Sequence, residues 1–130
     1  MTGNDSLSKP KEFTLLRSLK IKKAEQFQKL YSDGRSIAGR YLILYYQKHE
    51  DGPTRAAFAA GKKLGKAHVR NRLKRLLRET FRLNRYRLRD GYDLILLARK
   101  AAVEVKMQEV EKNFLFLVAK AKVLQTGGDN

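Results

Sequence analysis

The chain has 130 residues, 42% of them apolar, and sets 29 Lys and Arg against 13 Asp and Glu for a formal charge of +16 and a pI near 10.3. That length fits one compact domain with a modest core, and charge of one sign repels itself unless a polyanion relieves it. The absence of Cys excludes disulfides and thiolate metal sites, His49 and His68 are too few for a structural zinc site, and no apolar run nears the roughly 20 residues that cross a bilayer.

Met1 to Lys11 is small and polar with Pro10 near its end, so it reads as a disordered arm. Met1 to Ser18 has no secretory apolar region, which points to the cytoplasm. Phe13 to Ile21 mixes apolar and basic residues without period and reads as extended. Lys23 to Ser32 carries Ala24, Phe27, Leu30 and Tyr31 at helical spacing, and Asp33-Gly34 stops it, with Gly34 suited to a left-handed cap. Phe27 and Tyr31 lie one turn apart, and spacing alone reads them as core packing.

Tyr41 to Tyr46 is a strand rich in apolar and aromatic residues, with a short strand before it at Arg35 to Ala38. The cluster Glu50-Asp51-Gly52-Pro53 is a turn, and the Ala-rich strand Arg55 to Ala60 is expected to fold back antiparallel as a hairpin. Lys62 to Lys66 is a basic loop with a glycine at Gly65, placed so that a following helix N-terminus and the loop can face one anion.

A long helix is expected from His68 or Val69 to just before Asp90-Gly91, because Leu73, Leu76, Leu77 and Phe81 make one apolar stripe. Around that stripe Arg72, Lys74, Arg75, Arg78 and Arg82 repel one another. From Lys62 to Arg89 twelve residues are basic and Glu79 is the only acid, whereas an ordinary solvated face mixes its signs. Such a stripe is the footprint of nucleic-acid binding, and Arg, common in it, can fork onto a phosphate or stack on a base.

Tyr92 to Ala98 is a short apolar run typical of a buried strand, Val105 to Val123 is a last helix, and Gln125 to Asn130 is a polar tail. The order is α-β-β-β-α-β-α, an α+β single-domain sandwich with a mixed sheet. The expected division is an arm at 1–18, a domain at 19–124 and a disordered tail at 125–130.

Lys62-Lys63-Leu64-Gly65 followed by Arg70-Asn71-Arg72-Leu73-Lys74-Arg75-Leu76-Leu77-Arg78-Glu79 resembles the signature of the protein component of bacterial ribonuclease P. Ala24 to Tyr31 resembles that family's first helix, and Gly91 to Leu94 through Ala98-Arg99 its late strand. The resemblance implies a ribosomal-protein-like fold with a left-handed βαβ crossover, against the usual hand. It implies an RNA subunit that cleaves precursor tRNA with bound Mg2+, and a protein that does not cleave, holds no cofactor or metal of its own and needs no obligatory protein partner. The protein would bind the single-stranded 5′ leader through Phe27, Tyr31 and Tyr45, and the RNA subunit through Lys62, Lys63, Lys66, Arg70, Asn71, Arg72, Lys74, Arg75 and Arg78. Tyr31, Lys66, His68 and Gly61 depart from the family's usual residues.

Three other classes compete. A self-sufficient nuclease needs converging carboxylates or a positioned His, and the acids here are dispersed, with Asp93 and Glu79 the one pair that could share Mg2+. A basic ribosomal or RNA-assembly protein would carry the same charge but has no need of the aromatic set. A membrane-surface helix is disfavoured because the basic helix needs its leucine stripe for the core.

Overall fold

The computed structural model describes residues 24–49 and 52–125, with side chains from residue 28 onward. The arm at 1–18, the segment Phe13 to Ile21, the tail beyond Gln125, the turn residues Glu50 and Asp51 and the side chain of Phe27 lie outside the described residues. In chain order the elements are α1 (Ala24–Asp33), β1 (Arg35–Ala38), β2 (Leu42–Lys48), β3 (Arg55–Ala59), a 3-10 turn (Lys62–Leu64), α2 (Ala67–Asn84), a second 3-10 turn (Arg85–Arg87), β4 (Tyr92–Ala98), a third (Lys100–Ala102) and α3 (Met107–Lys120).

The four strands form one sheet in the order β1-β2-β4-β3. β1 pairs antiparallel with β2, β2 antiparallel with β4, and β3 parallel with β4. The expected hairpin between β2 and β3 is therefore absent, because β4 inserts between them. The reason lies in the side chains of β4. Leu94 and Leu96 are sealed into the main core while Ile95 is sealed on the other face, and a strand apolar on both sides must be central. The β3-α2-β4 unit is then the crossover that parallel neighbours require.

Helices α2 and α3 pack on one face of the sheet and α1 on the other. From α2, Leu73, Leu77 and Phe81 enter the main core, joined by Val110, Phe114, Leu117 and Val118 of α3 and by Leu42 and Leu44 of β2. Phe58 and Phe81 meet with ring centroids 5.9 Å apart. A buried amide ties the two helices: Asn84 Nδ2 donates to Glu111 Oε2 at 2.8 Å and to the Thr80 carbonyl at 2.9 Å. Another amide fixes α3 to the sheet, where the Tyr41 N–H donates to Asn113 Oδ1 at 2.8 Å.

Two helix ends explain residues that spacing alone misreads. Gly34 is not in the left-handed conformation expected of it. It is required by closeness, since a Cβ there would lie 2.6 Å from the Leu30 carbonyl oxygen and 3.0 Å from that of Tyr46. The left-handed cap occurs instead at the end of α3, on Lys122, with φ at 64°. There the Val123 N–H donates to the Val118 carbonyl at 2.9 Å and the Lys122 N–H to that of Ala119 at 3.1 Å. This is the double-bonded C-terminal motif that glycine usually closes, and a side chain in that conformation costs roughly 1 to 2 kcal/mol.

Candidate nucleic-acid interface

The first surface is the outer side of α2 with the turn before it. The helix starts on Lys66 without a side-chain cap and with no acid in its first turn. Lys62, Lys63, Lys66, Asn71, Arg72 and Arg75 are exposed, and Arg70, Lys74 and Arg78 are half-buried. Cations beside a helix N-terminus oppose its dipole and cost some tenths of a kcal/mol each. The same arrangement favours an incoming anion, which meets side-chain charge and free N–H groups together. Gly65, with φ at 143°, turns the chain between the two.

Internal partners consume little of this charge. Arg70 Nε donates to the Gly65 carbonyl at 3.2 Å, and an Arg72 terminal nitrogen donates to the Val103 carbonyl. Both guanidiniums keep their charge and most of their donors. Arg82 Nε donates to Glu79 Oε2 at 3.0 Å, and its second bond closes the fork on Oε1. Arg78 contributes at longer range to Glu79, while its own Nε is buried with no hydrogen-bond partner. Among the described residues, Lys62, Lys63, Lys66, Arg70, Arg72, Lys74 and Arg75 have no carboxylate partner.

The hydrogen bond from Arg82, and then the charges of Arg82 and Arg78, outweigh burial and hold the Glu79 carboxyl below its ordinary value. A depressed acid stabilises the fold above its unfolded pKa, and that contribution disappears as pH falls through the folded value. With the Glu79 side chain 42% exposed, solvent screening keeps the pair small. We expect Glu79→Gln to lower unfolding stability by less than about 0.5 kcal/mol at pH 7. Urea titrations should show the variant and the parent converging as pH drops below about 4.

The second surface is on the opposite face of the sheet. Register aligns Ser36, Tyr45, Ile95 and Ala57 in one cross-strand row. Leu30 of α1, 1% exposed, packs against Ile95 and Ala57, and Tyr31 and Tyr45 close the cluster half-buried. Their rings meet edge to face with centroids 4.6 Å apart. Burial, and then the neighbouring Tyr45, push the Tyr31 hydroxyl above its ordinary pKa, so it stays neutral. The next row, Ile43, Leu97 and Ala59, is only half-buried. It extends the recess toward the end of β3, three residues before the basic turn begins. Phe27 belongs to α1 one turn before Tyr31.

The other end of this face holds a constellation that nothing local in the sequence signals. Arg55 grips Asp93 with both Nε to Oδ1 and a terminal nitrogen to Oδ2 at 2.9 Å. His49 Nε2 lies 3.6 Å from Asp93 Oδ1 and 3.2 Å from the Pro53 carbonyl oxygen. Asp93 and Glu79 are thus on opposite sides of the sheet, each held by an arginine, and cannot share a metal ion. Among the described residues no three His, Asp or Glu converge to hold one, and no helix is long and apolar enough to cross a membrane. His68 is exposed near the start of α2.

Comparison with known proteins agrees with this architecture. The family model for Ribonuclease P matches residues 15–122. The ribonuclease P protein component of Natranaerobius thermophilus is 42% identical over 105 residues, 81% of this chain and 91% of that one. That of Symbiobacterium thermophilum is 42% identical over 113 residues, 86% and 98% of the two chains. The solved RNase P protein of Staphylococcus aureus superposes with a TM-score of 0.73 at 30% identity, covering 82% of this chain and 98% of that one. The one from Thermotoga maritima gives 0.69 at 27%, covering 75% and 92%. With the same mixed four-stranded sheet and three helices, and a match that spans the basic helix and both sheet faces, this chain belongs to the ribonuclease P protein family.

Proposed function

We propose that this chain is the RNA-binding subunit of a ribonuclease P ribonucleoprotein, serving the removal of 5′ leaders from precursor tRNA while the RNA subunit performs the cleavage. The observation that carries the reading is the separation of two unlike surfaces. The α2 side offers cations without carboxylate partners, suited to the phosphates and 2′-hydroxyls of a folded RNA. The α1 side offers tyrosine rings over an apolar floor, suited to unpaired bases of any sequence. Lys62, Lys63, Lys66, Arg70, Asn71, Arg72, Lys74, Arg75 and Arg78 would take the RNA subunit, and Phe27, Tyr31 and Tyr45 the leader.

In this reading the chain acts by binding and screening. Its cations replace counterions along the phosphates at the junction of RNA subunit and substrate, so less Mg2+ is needed to bring the two polyanions together. In this reading the Mg2+ of the reaction belongs to the RNA, a view supported by the engagement of Asp93 and Glu79, the pair of acids the sequence offered, by Arg55 and Arg82. Holding the leader would favour precursors over mature tRNA and reduce dependence on other substrate features.

The test is reconstitution with ribonuclease P RNA and a precursor tRNA at low Mg2+. The wild-type chain should restore cleavage. Arg75→Ala should weaken RNA-subunit binding by about 3- to 10-fold, the loss of one charged phosphate contact. Arg75 is a cleaner probe than Arg72, which also braces the loop at Val103. No stimulation by the parent chain would favour instead a ribosomal or RNA-assembly role.

A further inference from the structure

We infer that a groove at the C-terminal end of α3, across the sheet from the tyrosine recess, is a separate binding site for a single-stranded RNA segment. The groove encloses about 430 Å³ between the start of β1, the end of β2, the start of β4 and the last residues of α3. That is the size of a site for a small organic group such as one nucleotide.

Its walls repeat a cation beside a ring. Arg35 is the register partner of Tyr46, and Lys48 that of Tyr92. Lys120 and Lys122 close the opposite side, with Asp33 the one described acid on the lining. Arg35, Lys48, Lys120 and Lys122 are exposed, and among the described residues none has a carboxylate partner. Because successive residues of a strand point to opposite faces, Tyr46 serves this groove while Tyr45 serves the recess behind it.

Two observations point to a nucleic-acid strand. One turn before Lys120 on α3, Phe116 stands 60% exposed, with the Lys120 ammonium 5.4 Å from its ring centroid. Phe116 lies outside the groove's lining but shares Lys120 with it, so its exposed ring beside the groove would offer a bound strand a platform for one base, with the neighbouring lysines free for phosphate. The other is the conformation of Lys122. A glycine would close the α3 cap without strain, yet a lysine is held there at positive φ and lines the groove. Strain kept at one position motivates a functional role for it.

The test uses the full chain carrying Tyr45→Ala, so that the recess contributes least, and an octamer of uridylate with one 4-thiouridine. Ultraviolet crosslinks should map to the α3 end, near Phe116 and Lys122. Phe116→Ala should reduce affinity about 5-fold or more, the low end of a lost stacking platform. Lys122→Gly should weaken binding about 3- to 10-fold while its Tm equals or exceeds that of its parent, an outcome a purely structural lysine would not give. Absence of crosslinks at saturating octamer, or unchanged affinity in both variants, would overturn the inference. So would displacement of the octamer by poly-glutamate with no effect of Phe116→Ala, which would give the groove to an acidic protein segment. None of these outcomes depends on whether leaders occupy the recess.

Discussion

Removing three cations together, as Lys62→Ala, Lys63→Ala and Arg75→Ala, should lower affinity for ribonuclease P RNA at moderate salt by roughly 30-fold or more, at about 0.7 to 1.4 kcal/mol for each charged contact. All three are exposed and lack carboxylate partners among the described residues, so their loss exposes no buried charge. The fold itself should gain slightly, because like charges near the start of α2 repel one another and its dipole. Gain in stability with loss of affinity separates a binding surface from a structural one. Plotting log affinity against log salt should give a slope shallower by about 2 to 3 in the triple variant, at 0.7 to 0.9 for each phosphate contact removed. An unchanged slope would mean that these residues do not meet phosphate, and the RNA-subunit face would have to be sought elsewhere.

The basic helix was legible in the sequence because its charge and its leucine stripe are local features. The short strand at Arg35–Ala38 and the apolar run Tyr92–Ala98 appear where the residue types place them. Strand order was not legible from the turn residues Gly52 and Pro53, which suggest a hairpin. The better signal was in β4, where four apolar residues in a row require cover on both faces and so a central position. The grip of Arg55 on Asp93 joins residues 38 apart, and no spacing rule reaches that far. Gly34 departs from its expected role for a similar reason. Whether a helix end needs a small residue or a left-handed one depends on what packs against it, here the Tyr46 carbonyl of a neighbouring strand. Phe116 is two residues past Phe114 and off its apolar stripe, a signal the sequence did contain.

The recess makes a sharper demand than the basic face, because Tyr45 is only half-buried and could be a packing residue alone. If its ring is a platform for leader bases, Tyr45→Ala should cost about 1 to 3 kcal/mol, a 5- to 150-fold loss of affinity for a precursor tRNA by the assembled ribonucleoprotein. Truncation also removes the edge contact to Tyr31 and apolar cover over Leu30, Ala57 and Ile95, so the chain itself should be less stable. Two comparisons keep the effects apart. Mature tRNA, which has no leader, should bind the variant and the parent equally, whereas damage to the fold would weaken both substrates. Tyr45→Phe keeps the ring and loses only the hydroxyl, and it should bind precursor normally, because stacking uses the π-face and no hydrogen bond. Should Tyr45→Ala lower the affinity for precursor and mature tRNA alike, the tyrosines would be core residues and the leader would have to be held elsewhere.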